Sequence, residues 1–430
     1  MKLAVKAAAC LLAGCCIAGN FSVGEAAYRH ASDTVSETTS NVHEETRGVV
    51  EGTSTSKVKR ESVSSLDRLQ AESRKAADAA AQKSVRPNMQ TMRMWDVQAT
   101  DTGGTLLFSD SPEYVNQDGI LYSDTVQGDA RILFYHLNNT SEQKKVAVIL
   151  ENQSGSYSIV HVTRGGMSQP SSNYLAVGKR TQVEYFDTKL NDVIYVRNGG
   201  KRLLQNEMNN TVLEPGQLVY GVFDFSSSTP VKVSVIMYGA DVDPYSFIEY
   251  ARVLPKDAQR LRGTFKGMDR IIRSQKAYDP RKDGIVYFPI GDNERDTYRT
   301  GVDATDGSLV TNYGNYGVLY RIEIPTAGND STRYYLSPLG GTYAGAMTVD
   351  FGRGQSNLLL TPNGRTYFGD ATPAESDGAM QAREAGTAVL THTTELADLG
   401  TYKNESQLSF EYSPPGASNL PVNIILMPAK

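Results

Sequence analysis

The chain has 430 residues, 40% hydrophobic and 21% charged, with a formal charge of -5. That is long enough for two ordinary domains plus a tail, and apolar enough for a buried core without membrane character throughout. With no basic excess there is no electrostatic reason to expect a nucleic-acid partner.

All three cysteines, Cys10, Cys15 and Cys16, lie near the N-terminus, so the rest of the chain carries no thiol chemistry, disulfide or cysteine metal site. Lys2 and Lys6 flank the start of an apolar run over 7–19 that is too short to span a bilayer and has the length of a secretory h-region. We read residues 1–26 as a signal peptide, with small residues around Gly24-Glu25-Ala26 favouring cleavage before Ala27. Leu12-Ala13-Gly14-Cys15 also resembles a bacterial lipobox, which would end the leader at residue 14 and lipidate Cys15. Either route exports the protein, and the only membrane attachment expected is a lipid on Cys15.

Residues 27–61 are rich in Ser, Thr, Glu and Val without periodicity and bury too little apolar surface to offset their ordering entropy. They are expected to form a disordered tether in which His30 and His43 are solvated. Residues 62–86 are mostly strong helix formers, with Ser64 and Asp67 spaced as a capping box and Pro87 as a stop. Val63, Leu66 and Leu69 give only a narrow apolar stripe, so a helical spacer is expected rather than a coiled coil.

Beyond this the pattern is all-β: short runs of Val, Ile, Tyr and Leu every eight to twelve residues, broken by Gly, Asn, Asp, Ser and Pro. We expect two antiparallel β-sandwich-like domains, 95–240 and 258–430, with a connector at 241–257 containing Pro244 and Pro255. In the first, strands are expected at 131–137, 144–151, 157–164, 182–186, 193–197, 217–225 and 231–238, with a hairpin turn at Asn198-Gly199. In the second they are expected at 261–265, 285–289, 318–324, 333–337, 346–351, 357–361, 365–368, 387–391, 407–412 and 422–427. Asn363-Gly364 is a second hairpin signal, and 370–385 reads as a polar flap. The clearest strand is 318–324, where Val318, Tyr320, Ile322 and Ile324 alternate with Leu319, Arg321 and Glu323.

A nucleophile needs a base within reach. Outside the tether only His136, His161 and His392 are available, no serine sits in a G-x-S-x-G setting, and the histidines lack the spacing of a local metal motif. Carboxylates are the better candidates: Asp292, Glu294, Asp296, Asp303 and Asp306 crowd the segment before the 318–324 strand. Such acids either chelate calcium or hydrolyse a glycoside if held at the right separation, and otherwise serve as solvated turn residues. Tyrosine is abundant, 24 residues against one tryptophan. Tyr313, Tyr316, Tyr320, Tyr334, Tyr335 and Tyr343 fall in one window, either as sheet filling or as an aromatic binding face.

The segments RILFYHLNNT, KKVAVILEN and DATDGSLVTNYGNYGVLYRIEIP resemble uncharacterised secreted β-rich proteins of bacteria related to Gram-positive lineages, some of which are labelled as like the N-terminal domain of copper amine oxidases. The likeness covers most of 105–430 and implies export and a β-rich surface role. Its motifs are strand-and-turn patterns. An amine oxidase needs a cofactor tyrosine between Asn and an acid, whereas Asn173-Tyr174 precedes Leu175, and Asn312-Tyr313 and Asn315-Tyr316 each precede glycine. No catalytic residue carries over. The expectation is therefore a non-enzymatic envelope protein that binds a glycan or a surface protein, with no cofactor other than calcium. The alternatives are a carbohydrate-active hydrolase using the acids of 292–306 and a purely structural spacer.

Overall fold

In the computed structural model, which describes residues 90–339, 342–352, 356–363, 387–390, 396–403 and 407–429, two exceptionally long strands carry the largest sheet. The chain begins with β1 (Gln90–Met94), β2 (Gln98–Thr102), β3 (Thr105–Ser109), β4 (Tyr114–Val115), β5 (Gly119–Asn138), β6 (Lys144–Asn152) and β7 (Ser158–Met167). Helix α1 (Tyr174–Asp187) precedes β8 (Asp192–Val196), β9 (Lys201–Leu203), β10 (Leu218–Gly239) and the short helix α2 (Pro244–Phe247). Next come β11 (Arg262–Lys266), β12 (Asp269–Arg273), α3 (Pro280–Asp283), β13 (Val286–Ile290), β14 (Arg299–Val302), β15 (Leu309–Asn312) and β16 (Leu319–Glu323). The remainder is β17 (Ser331–Pro338), β18 (Gly345–Asp350), β19 (Ser356–Thr361), β20 (Thr387–Leu390), β21 (Ala397–Lys403), β22 (Ser409–Tyr412) and β23 (Val422–Pro428). The leader with Cys15, the tether, the helical spacer, the strand at 365–368, the flap at 370–385, His392 and the Asn363-Gly364 turn, of which only Asn363 is described, lie outside these residues.

The all-β expectation holds, in layered, sandwich-like sheets. An eleven-stranded sheet follows the order β15-β14-β11-β3-β5-β10-β6-β9, with β4 beside β5, β7 beside β10 and β8 beside β7. Two six-stranded sheets run β20-β1-β13-β23-β17-β21 and β19-β18-β22-β16-β12-β2. Most pairings are antiparallel, but β1 with β13, β12 with β16, and both β3 and β4 with β5 are parallel. The expected division at 241–257 does not separate two sheets, because β11, β14 and β15 from beyond it extend the sheet of β3, β5 and β10. The connector itself is stitched in: Ile120 N–H donates to Arg252 O and Leu254 N–H to Ile120 O, both at 2.8 Å, while Phe247 and Leu254 are buried. All described residues belong to one compact unit.

Alternation along β10 explains why. Leu218, Tyr220 and Val222 enter a core shared with α1 and both six-stranded sheets, whereas Val219, Phe223 and Phe225 enter a second core with β6 and β7. With both faces buried, its first part, Leu218 to Phe223, reads as a continuous apolar run. The expected strands at 217–225 and 231–238 are a single element, irregular in register between Ser227 and Val231.

The strand expected at 182–186 is instead the last half of α1. Asn173 caps the helix by accepting from Ala176 N–H, and Ala176, Val177, Thr181, Gln182, Tyr185 and Phe186 form its buried face. Helical spacing outweighs the strand preference of Val183, Tyr185 and Phe186. Gly178 lets the helix touch the C-terminal segment, since a Cβ there would lie 2.0 Å from Gly416 O. The Asn198-Gly199 turn exists, but β8 pairs with β7 and β9 with β6, so it does not close a hairpin.

A buried ion pair joins the layers. Arg131 on β5 donates Nε–H to Asp224 Oδ1 (2.6 Å) and Nη2–H to Oδ2 (2.8 Å), and Nη1–H to Met268 O (2.7 Å) and Gly317 O (3.2 Å). Nη1 also lies 3.0 Å from Asp269 Oδ1, and Tyr185 OH of α1 donates to Asp224 Oδ2 at 2.9 Å. Burial acts to discharge the guanidinium, but Asp224, with support from Asp269, more than offsets this and keeps it firmly charged. Asp224→Ala, which strands that charge, is expected to cost about 3–5 kcal/mol in urea unfolding. The double change Arg131→Met with Asp224→Leu is expected to cost less than Asp224→Ala alone; a double variant less stable than the single would refute this account.

Candidate functional site

The six tyrosines expected as an open aromatic face do not form one. Tyr320, Tyr334, Tyr335 and Tyr343 are buried, and Tyr313 and Tyr316 are partly buried. Tyr320 OH donates to Asp296 Oδ2 at 2.6 Å and accepts from Asn315 Nδ2 at 2.9 Å. Tyr334 packs between Tyr402 and Phe410, Tyr335 sits with Met92, Tyr287 and Ile425, and Tyr316 OH donates to Ser418 O at 2.6 Å. Tyr313 meets the edge of Tyr298. Most of these tyrosines fill the core or its margins, their hydroxyls tied to internal partners where the geometry allows.

The expected acid cluster is likewise divided. Asp292 Oδ1 accepts the backbone N–H groups of Glu294, Arg295 and Asp296, while Glu294 itself is exposed. Asp296 is buried against Arg270, Tyr320 OH and Gly291 N–H. Asp303 takes Nε–H of buried Arg262 at 2.9 Å, and Lys256 Nζ lies 3.3 Å from Asp303 and 2.6 Å from Asp306. Burial pushes Asp303 up, yet the Thr305 hydroxyl and Arg262 together hold it below the usual carboxylate range; Lys256 and Ser308 hold Asp306 down. Asp296, Asp303 and Asp306 neutralise cations, and among the described residues no three or more His, Cys, Asp or Glu side chains gather as metal ligands. The acids of 292–306 are thus divided among separate partners.

His136 was expected only as an in-strand histidine. Its Nδ1–H faces Pro112 O at 2.9 Å, which leaves Nε2 to accept from Ser109 Oγ–H at 2.9 Å. That resembles a nucleophile and its base, but both residues have 0% exposure and no substrate can reach them. Burial pushes His136 down to about 4, so it stays neutral.

Two features remain, one half-buried and one facing outward. At the end of β3, Asp110, Glu113 and Asp257 come together across the connector. Asp257 accepts from Ser111 Oγ–H (2.9 Å), Glu113 N–H (2.8 Å) and the N–H groups of Gln259 and Arg260 (both 3.0 Å). Burial, then the Asp257 charge, pushes Glu113 up to about 7; burial, then Glu113 and Asp257, raises Asp110 well above the carboxylate range. Asp110 Oδ1 is buried without a hydrogen-bond partner among the described residues. Tyr114, Tyr135 and Tyr174 border the group, each raised first by burial and then by Glu113. Asp257 opens onto a shallow depression of about 750 Å³ shared with Lys256, Arg260 and Asp306.

The second feature is the outer face of β7 and β8. Tyr157 is 68% exposed, Tyr195 60%, Val193 48% and Ile159 44%. The register sets Ile159 opposite Tyr195 and His161 opposite Val193, so these side chains share one face, and Tyr157 just precedes them. His161 Nε2 lies 2.7 Å from Asn191 Oδ1, giving the face a polar border. Sequence reasoning found both strands but not which side is wet, because 157–164 carries apolar residues in both phases. Compared with protein-family models and with curated proteins, the sequence matches none.

The Glu113 environment has a pH consequence. A carboxyl raised in the folded state stabilises the fold below its ordinary value of 4.5, and that contribution is lost as pH rises through about 7. His136, lowered from 6.5 to about 4, acts oppositely, contributing above 6.5 and losing it as pH falls through about 4. In melting curves across this range, Glu113→Gln is expected to gain stability relative to the parent as pH rises from 4.5 past 7. A constant offset between the two proteins would show that Glu113 is not so raised.

Proposed function

We propose that the chain is an exported envelope protein that binds a glycan of the cell envelope on the outer face of β7 and β8. The observation that carries this is the solvent-facing set Tyr157, Ile159, Val193 and Tyr195 on a sheet whose other side is packed. Exposed tyrosine rings on and beside this sheet offer apolar faces to sugar rings, while their hydroxyls and the His161–Asn191 pair supply polar contacts. Export rests on the leader read in residues 1–26, with Cys15 as its lipid anchor if the lipobox is used.

A second reading, hydrolysis by paired carboxylates, is favoured by one observation: Glu113, raised to about 7, beside the hydrogen-bonded carboxylate of Asp257. It moves the candidate acids from 292–306 to 110, 113 and 257.

Affinity electrophoresis against isolated envelope polysaccharides tests the leading reading. Retardation of the parent, lost in Tyr157→Ala/Tyr195→Ala at unchanged melting temperature, is the expected result, since both side chains are exposed. Retardation unaffected by the double change refutes the assignment of the site. Release of reducing sugar that disappears in Glu113→Gln would favour the hydrolase, and neither signal with any polysaccharide would favour the spacer.

A further inference from the structure

The edge beside this face carries an inference independent of glycan binding. Among the described residues β8 pairs only with β7, so the outward N–H and C=O groups of Asp192 to Tyr195 have no backbone partner. The last carbonyl of the strand is the exception, since Asn152 Nδ2 donates to Val196 O at 2.7 Å. Natural edges are usually blunted by lysine, proline, a bulge or a polar sequence. The edge strand β2 follows that rule with the polar, largely exposed sequence QATDT. In contrast β8, DVIYV, has one charge at its start and apolar residues thereafter.

We propose that β8 is a self-association edge, at which two copies of this chain pair antiparallel and continue the eleven-stranded sheet across a two-fold axis. The sequence is complementary to itself in that arrangement. Antiparallel pairing keeps opposed side chains on the same face, so a register centred on Ile194 sets Val193 against the second copy's Tyr195, and the reverse. Aliphatic–aromatic pairs of this kind contribute roughly 0.2–1 kcal/mol apiece beyond the backbone bonds. Five residues make a small interface, so association belongs in the weak, concentration-dependent class.

Sedimentation equilibrium of the purified full chain across the micromolar range, with hydrogen exchange over 191–197 at the same concentrations, tests this. The expected result is a monomer–dimer equilibrium in which the β8 amides slow as dimer accumulates. Val193→Lys, at a position 48% exposed and therefore tolerant of the change, is expected to weaken association at least tenfold. Tyr157→Ala, off the pairing edge, is expected to leave association intact even if it abolishes glycan binding, so the two proposals fail separately. A chain that stays monomeric, a dimer that survives Val193→Lys, or β8 amides equally protected at every concentration would overturn the proposal; the last would mean that another part of the same chain covers the edge.

Discussion

The arrangement depends on one charge that cannot reach water. Arg131 lies between the long strands of the largest sheet, the start of β12 and the turn before β16 and donates to groups from each, while Tyr185 OH of the helix that caps the core donates to its partner Asp224. A fully buried guanidinium is tolerable only when every partner is in place, so its geometry fixes how the layers meet. Apolar packing alone would permit some sliding of these sheets; a bidentate pair with Asp224 permits much less.

Around that hub, further arginines repeat the device. Arg270 and Arg299 share Asp101 of β2, and Arg262 joins Asp303 to carbonyls of Ser111, Leu121 and Leu254. Here the recurring physical theme is burial of charge against charge, and it accounts for the fate of Asp296 and Asp303 before β16. The spacing of the acids along the chain suggested a shared ligand, but Asp296 is matched to Arg270, Asp303 to Arg262 and Lys256, and Asp306 to Lys256, while Asp292 caps backbone N–H groups. An acidic group left against itself, at Asp110, Glu113 and Asp257, is assembled from segments more than 140 positions apart, as the bond from Glu113 N–H to Asp257 records.

What the sequence made legible follows from the range of the interactions concerned. Period-two alternation is local, so the strand at Val318 to Ile324 was readable. Burial of both faces erases alternation, which is why the extent of β10 and its role in joining the halves were not. The helix α1 was misread because Val183, Tyr185 and Phe186 favour strands locally, while the contacts that decide the matter, Tyr185 with Asp224 and Gly178 with Gly416, are distant. The tyrosine window failed as a binding face for a related reason: residue type indicates a tendency to pack, and only the sheet partners determine whether the packing is against protein or left to solvent. The exposed pair Tyr157 and Tyr195 lay in strands whose two phases are both apolar.

The position of β23 bears on how the molecule can be assembled. It lies in the interior of a six-stranded sheet, bonded to β13 on one side and β17 on the other, although it is synthesised after both. Until residues 422–428 emerge, those neighbours present bare edges and a gap in the core where Ile424 and Leu426 belong. Vectorial folding during synthesis therefore cannot complete this layer, and its neighbours stay unpaired on that side until the closing segment arrives.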